Sequence, residues 1–181
     1  MEPGYAGRVA NNERGGQMAK IESPRELFVH QLGAAYTMEN EILGMLEELE
    51  QEAQSSELKQ QLSHHRQETK QQVANLEQAF RALGREPEEQ PCPVVEALEK
   101  EGKQNLKQVE DRLNDAVILA GAAQTEAHEI AVYDSLITHA EAMGEDDIVA
   151  LFQENLEQEQ HTLKEVRAAA KKLAQREGQA V

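Results

Sequence analysis

The chain has 181 residues, enough for one ordinary domain, and its 34 acidic against 18 basic residues give a formal net charge of −16. This surplus of acid argues against nucleic acid or a membrane surface as partner, because both carry phosphate groups that need clustered Lys and Arg. The single cysteine, Cys92, excludes an intramolecular disulfide and is typical of a reducing compartment, so we expect a cytoplasmic protein. Trp is absent, and Ala, Leu, Glu, Gln and Lys dominate, which favours an all-α fold.

The order of helix signals along the chain predicts one domain, a four-helix bundle over residues 21–176. Residues 1–20 are rich in Gly and Asn and have almost no apolar side chains, so we expect a disordered tail there. The first helix is predicted over 24–53, with Ser23 as N-cap and Glu26 completing a capping box. The others are predicted over 56–83, 114–143 and 145–174, with Gly84 and Gly144 ending the second and third.

The connections between these helices predict the topology. Two of them are turns of a few residues, so each flanking pair should form an antiparallel hairpin. The connection over 85–113 is much longer, opens with three prolines and contains a short amphipathic pattern (Val94, Val95, Leu98, Leu106 and Val109). Two hairpins joined by a long crossover with a short extra helix form a ferritin-like bundle; a long irregular coiled coil is the alternative.

Each predicted long helix carries an apolar stripe with steps of three and four residues, and acidic or imidazole side chains interrupt each stripe near the helix midpoint. Because four long helices packed side by side bring their midpoints to one level, we expect the interrupting residues to converge. They are Glu39 in the first helix, His65 and Glu68 in the second, Glu126 and Glu129 in the third, and Glu159 in the fourth.

These residues predict a metal site. Five buried carboxylates repel one another, and no Lys or Arg lies on the stripes at this level. Two divalent cations would offset the charge, and carboxylate oxygens with imidazole suit iron or manganese. For His65 the alternative is a buried imidazole that holds a ligand carboxylate. Tyr133 and Tyr36, each one turn from a predicted ligand, either contact the site or are ordinary core aromatics.

Several segments resemble the YciE/YciF-type ferritin-like proteins, bacterial proteins associated with stress for which a di-iron site is expected. The resemblance covers residues 22–173 and rests on LFVHQLGAAYTME (27–39), HRQET (65–69), Cys92, EAHEIAVY (126–133) and LEQE (156–159). The third-helix segment is the most specific of these. In the fourth helix, the chain has Gln160 and Leu163 where the family usually has Lys and Asp.

The residues and the resemblance together give a functional hypothesis. We expect a di-iron or di-manganese carboxylate protein that oxidises Fe(II) or reduces O₂ or peroxide in a stress response, with Glu68 and one third-helix glutamate bridging the metals. This activity would be ferroxidase- or peroxidase-like. One alternative is manganese-dependent peroxide dismutation on the same scaffold, and another is a metal-free helical interaction or structural protein. A homo-oligomer, in the simplest case a dimer, is also expected.

Overall fold

The computed structural model describes residues 20–178, and the tail predicted over 1–20 lies outside them except for residue 20. The described part of the chain is all-α, which confirms the predicted fold class. Its helices are α1 (Pro24–Glu52), α2 (Ser56–Ala82), α3 (Pro93–Leu106), α4 (Asn114–Met143) and α5 (Asp146–Gly178), with a 3₁₀ turn at Asp111–Leu113.

The predicted helix ends are set by local chemistry. Ser23 caps α1, because its hydroxyl accepts a hydrogen bond from the Glu26 backbone N–H over 3.2 Å. The Glu26 carboxylate accepts from the backbone N–H of Glu22 over 2.8 Å, so the predicted capping box closes one residue earlier than expected. Gly84 and Gly144 follow α2 and α4 with φ of +70° and +72°, the left-handed conformation that Gly adopts most readily.

Contacts at the two ends of the bundle show the direction of each long helix. At one end, Arg25 at the start of α1 lies 3.1 Å from Glu145, just before α5. At the other end, the Asp115 carboxylate at the start of α4 accepts hydrogen bonds from the α1–α2 turn, and Lys172 near the end of α5 lies 2.8 Å from Glu57 at the start of α2. Therefore α2 and α4 run in the same direction, and the two antiparallel hairpins are joined by a crossover, as in ferritin-like bundles.

The crossover runs across the outside of α1 and α4. Its first part crosses α1 closely at Gly33, whose carbonyl accepts a hydrogen bond from the Gln90 N–H over 3.2 Å. Within α3, Val95 is buried, whereas the adjacent Val94 is 49 % exposed. The helix ends at Leu106, before Val109. The predicted apolar face was therefore wrong at Val94: neighbouring helical residues point about 100° apart, and α3 packs against the bundle on the side of Val95.

The core of the bundle is apolar at both ends and polar in the middle. Its largest fully buried apolar side chains are Tyr133, Phe28, Phe80, Phe152, Leu32, Met38, Ile42, Leu76, Leu136 and Ile148. Glu39, Glu129, Glu159 and Asn155 are equally buried, with no exposed surface. Across residues 20–178, no helix has an apolar stretch long enough to cross a membrane.

Candidate metal centre

Each of the four long helices brings at least one predicted metal ligand to the middle of the bundle. Glu39 comes from α1, His65 from α2, Glu126 and Glu129 from α4, and Glu159 from α5. All five side chains are buried, with at most 5 % of each residue exposed. The two α4 glutamates lie three residues apart, and this spacing puts them on neighbouring positions of one helix face.

Four of these residues form a tight group that could hold a metal ion: His65, Glu126, Glu129 and Glu159. Each offers one ligand atom, and the four atoms lie within 4.8 Å of one another. Within this group, His65 Nε2 lies 3.1 Å from Glu126 Oε1. Oxygen donors with a single imidazole nitrogen are a ligand set that iron and manganese accept.

The two other predicted ligands flank this group. The Glu39 carboxylate accepts a hydrogen bond from the Tyr133 hydroxyl over 2.5 Å, and its second oxygen has no hydrogen-bond partner. The side chain of Glu68 is 19 % exposed; its carboxylate lies 3.5 Å from His64 and 3.8 Å from His65. Glu68 therefore stands at the outer edge of the group, between the buried residues and solvent.

Seven buried atoms of the predicted ligands lack a hydrogen-bond partner within the described part of the chain. They are Glu39 Oε2, Glu126 Oε2, both carboxylate oxygens of Glu129, Glu159 Oε2 and both ring nitrogens of His65; the 3.1 Å contact of His65 Nε2 with Glu126 does not have hydrogen-bond geometry. Buried polar atoms almost always have partners, and an unpartnered carboxylate is especially costly. The buried polar side chains of residues 20–178 include no Lys or Arg that could balance the acids. The donor set thus fits bound cations on both charge and chemistry.

The pKa values show how strongly this environment resists negative charge when no metal is bound. Burial raises the pKa of Glu39 to about 7 and raises those of Glu129 and Glu159 well above their ordinary value of 4.5, and the charge of Glu126 adds to the rise in all three. Burial alone would lower the pKa of His65, but the carboxylates of Glu126 and Glu68 outweigh it and raise that pKa well above 6.5. Without a cation, the centre therefore retains protons.

The sequence pattern did not predict a polar network that lies on one side of the centre. The Asn155 amide donates to the Tyr133 hydroxyl over 2.9 Å, and the Asn75 amide donates to Asn155 Oδ1 over 2.7 Å. The Gln72 amide donates to the Glu159 carboxylate. Asn155 lies one helical turn before Glu159 on the same helix face, and this position could have indicated that Asn155 is buried near the centre.

The structure separates the two candidate tyrosines. Tyr133 has no exposed surface and contacts Glu39 directly. The Tyr36 hydroxyl instead donates to Glu77 over 3.4 Å, and its ring packs edge-on against Phe80. Tyr36 is therefore not brought to the group of acids.

Comparisons with solved structures place these features among known proteins. YcfI of Rhodopseudomonas palustris, described as a candidate structural protein, is 33 % identical with a TM-score of 0.79, covering 81 % of this chain and 94 % of that chain. The E. coli stress protein YciF is 26 % identical in its crystal structure, also with a TM-score of 0.79, covering 83 % of this chain and 96 % of that chain. A protein of Xanthomonas campestris pv. campestris, 22 % identical with a TM-score of 0.65, shares the fold.

Sequence comparison gives the family. Among curated proteins, YciF of Escherichia coli strain K12 is 28 % identical over 144 residues, which are 78 % of this chain and 87 % of that protein. The model of the family described as "Domain of unknown function (DUF892)" matches residues 23–179. This match spans the whole bundle, including the predicted ligands of all four long helices. The chain therefore belongs to the DUF892 family, and the predicted kinship with YciE/YciF-type proteins is confirmed.

Proposed function

We propose that the buried acids bind two divalent metal ions, iron in preference to manganese, and that the protein oxidises Fe(II) or reduces O₂ or peroxide in a stress response. The observation that carries this proposal is the group of four buried ligand atoms, from His65, Glu126, Glu129 and Glu159, within 4.8 Å of one another. The description of E. coli YciF as a stress protein supports the physiological setting.

Two ions explain the residues better than one. The four-residue group would satisfy one cation, but Glu39 adds a buried carboxylate beside it and Glu68 adds another at its edge. Two divalent ions carry four positive charges. These charges offset most of the negative charge of the five carboxylates, from Glu39, Glu68, Glu126, Glu129 and Glu159. We propose that Glu68 and one of the two α4 glutamates bridge the ions.

The chain's own residues have distinct roles in this scheme. Tyr133 holds one oxygen of Glu39, and Gln72 holds one oxygen of Glu159. The second oxygen of each carboxylate is left to face a metal. The surrounding apolar core limits the access of water, and the partly exposed Glu68 marks the solvent-facing side of the centre. A bound pair of iron or manganese ions would supply the redox chemistry, and Fe(II) itself would be the substrate in the ferroxidase case.

Metal analysis of the protein after expression with added iron or manganese tests the proposal. We expect up to two ions per chain and a lower melting temperature after chelation. Glu129→Ala should abolish metal uptake and leave the helices folded by circular dichroism. The matched control is Glu157→Ala, on the exposed face of α5, which should bind metal as the parent does. Less than one ion per chain, with unchanged melting on chelation, would refute the proposal.

A metal-free structural role is the second candidate. Hydrogen bonds from Tyr133 and Gln72 already reach two of the acids, and the raised pKa of Glu39 is compatible with a protonated network. The description of YcfI as a candidate structural protein is in line with this role. It predicts that the protein does not become less stable to unfolding, with metal present, when five glutamates are changed to Gln together: Glu39, Glu68, Glu126, Glu129 and Glu159. The metal proposal predicts a loss there.

Peroxide dismutation uses the same ligands, so ligand identity does not separate it from the leading proposal. Oxygen evolution separates the two. The manganese-loaded protein should release O₂ from peroxide only if it is a dismutase.

A further inference from the structure

A cavity of about 410 Å³ lies beside the candidate metal centre, and the metal hypothesis alone does not explain it. Its inner end is formed by the buried His65 and Glu126, with Glu68 next to them. Its walls are largely aliphatic and include Leu46, Leu58, Leu62, Ile118 and Val166. Its outer end lies under α3, where the side chains of Glu48, Glu99 and Lys103 are 37 to 58 % exposed.

The packing of α3 explains why this space stays open. The buried side chain of α3 is Val95, near the start of the helix. The later turns of α3 therefore pack less closely against the rest of the bundle. Gly102 in α3 and Gly121 in α4 both line the cavity, and a Cβ atom added to either would meet no atom within 4 Å. Protein interiors are normally close-packed, whereas ligand cavities measure about 300–1,000 Å³. The open volume under α3 is therefore of ligand-binding size.

The charges lining the cavity indicate which ligands it accepts. Six carboxylates line it, from Glu48, Glu52, Glu68, Glu99, Glu126 and Glu165, against the two lysines Lys103 and Lys107 and the imidazoles of His64 and His65. Lys103 is already engaged, because its ammonium lies 2.8 Å from Glu48 and 2.7 Å from Glu99. An anionic ligand would be repelled along most of this path. An apolar ligand without negative charge is compatible with both the aliphatic walls and this surplus of acid.

We propose that this cavity binds an uncharged amphiphilic molecule, an aliphatic chain that ends in one hydroxyl or carbonyl oxygen. The chain would lie along the aliphatic wall, and its oxygen would lie at the inner end, where His65 Nδ1 has no hydrogen-bond partner among the described residues and lies 3.8 Å from Glu68. The inference that the oxygen of this molecule lies beside a bound metal ion rests on the proposed function. Binding of the molecule in the cavity does not.

Fluorescence of the neutral dye N-phenyl-1-naphthylamine tests the binding. We expect the dye to brighten on the metal-free protein, 1-decanol to displace it, and decanoate to need a concentration roughly tenfold higher or more. Equal displacement by decanoate would overturn the assignment to uncharged ligands. A failure of the dye and of decanol to bind would overturn the cavity proposal itself.

Cavity-filling variants locate the binding. Gly121→Leu places a larger side chain at the open cavity wall, and it should weaken dye binding roughly tenfold or more. The control is Gly44→Leu, the same change at an exposed α1 position that does not line the cavity, and it should bind dye as the parent does. Ala122→Met, at the adjacent cavity-lining position, is a second variant in case the first does not fold. If both folded cavity variants bind dye like the parent, the cavity is not the site.

Cobalt(II) titration separates this inference from the proposed function. Co(II) should bind to Gly121→Leu as to the parent, and 1-decanol should change the visible Co(II) spectrum of the parent but not of the variant. Dye binding without Co(II) binding would refute the metal proposal and leave the cavity ligand standing. Co(II) binding without dye binding would refute the cavity ligand alone.

Discussion

The hydroxyl of Tyr133 donates a hydrogen bond to Glu39 Oε1 over 2.5 Å, and this bond links α4 to α1 at the level of the buried acids. The same hydroxyl accepts a bond from Asn155 on α5 over 2.9 Å, so three helices meet at one oxygen atom. Burial raises the pKa of Glu39 to about 7, and the bond from Tyr133 acts against that rise. Tyr133 therefore holds this carboxylate in one orientation and favours its charged form.

Tyr133→Phe should lower the free energy of unfolding of the metal-free protein by about 1–3 kcal/mol, because the buried groups of Glu39 and Asn155 lose a common partner. Urea unfolding at neutral pH measures this change. Tyr36→Phe is the matched control, since its 3.4 Å bond to Glu77 is only partly buried, and we expect it to cost less than about 0.5 kcal/mol. Equal losses in the two variants would contradict the role given to Tyr133.

The long helices and their arrangement could be predicted because their signals are local. Ser23, Gly84 and Gly144 mark helix ends by capping and left-handed geometry that depend on a few neighbouring residues. The inward face of α3 could not be predicted in the same way. Val94 and Val95 are equally apolar, and the choice between them depends on where the crossover docks on α1 and α4, which the local pattern does not contain.

The buried acids could be predicted because a charge that interrupts an apolar stripe is conspicuous. Asn155 and Asn75 could not, since neutral amides are common on helix surfaces and their partners come from other helices. Glu68 was expected at the same level of the bundle as His65, and the structure places it there. Residues three apart on a helix differ by about 60° in direction, however, which leaves Glu68 at the edge of the group when His65 is fully inside.

The pKa shifts predict that the metal-free protein loses stability as pH rises from about 5 to 8. The unfolded chain releases protons from its glutamates near pH 4.5, whereas Glu39 holds its proton to about pH 7 and Glu129 and Glu159 also hold theirs longer. Stability from these groups is therefore complete below pH 4.5 and is lost up to the folded pKa; for Glu39 alone the loss is on the order of 3 kcal/mol. The raised pKa of His65 acts in the same direction, with its contribution lost as pH rises above 6.5.

Melting temperatures of the metal-free protein between pH 5 and 8 measure this dependence. Glu39→Gln should reduce the slope because it removes one titrating group, and Glu157→Gln on the exposed face of α5 should leave the slope unchanged. The neighbouring His65 lowers the pKa of Glu68, and this shift has the opposite effect only near and below pH 4.5, outside this range. A melting temperature that rises with pH across the range would contradict the assignment.

Gly33→Ala should destabilise the protein, although Gly→Ala in the middle of a helix normally stabilises by up to about 1 kcal/mol. A Cβ atom at this position would lie 2.7 Å from the backbone oxygen of Glu88 and 2.6 Å from Cγ of Gln90, so the crossover would have to move away from α1. We expect a net loss of about 1–3 kcal/mol in thermal or urea unfolding. Gly44→Ala, with no atom within 4 Å of its added Cβ, should stabilise; a gain in both variants would show that the crossover is loosely seated.

Asp115→Ala should also destabilise the protein, because the Asp115 carboxylate fastens the start of α4 to the turn between α1 and α2. Its two oxygens accept from the backbone N–H groups of Gln54 and Ser55 over 2.6 and 3.0 Å, and the residue is 8 % exposed. Losing both bonds leaves two amides without their partner, so we expect a cost of about 2 kcal/mol or more in urea unfolding. Asp111→Ala, at an exposed position of the preceding 3₁₀ turn, is the control and should change stability little.

Amide hydrogen exchange locates the effect of Asp115→Ala. The amides of Gln54 and Ser55 should exchange faster in this variant, and Asp115→Asn, which keeps one carboxamide oxygen as an acceptor, should lie between it and the parent. If exchange at this turn is unchanged while global stability falls, the loss comes from elsewhere in α4. Faster exchange confined to the turn would show that the Asp115 carboxylate fastens the α1–α2 turn to the start of α4, the helix that carries Glu126 and Glu129.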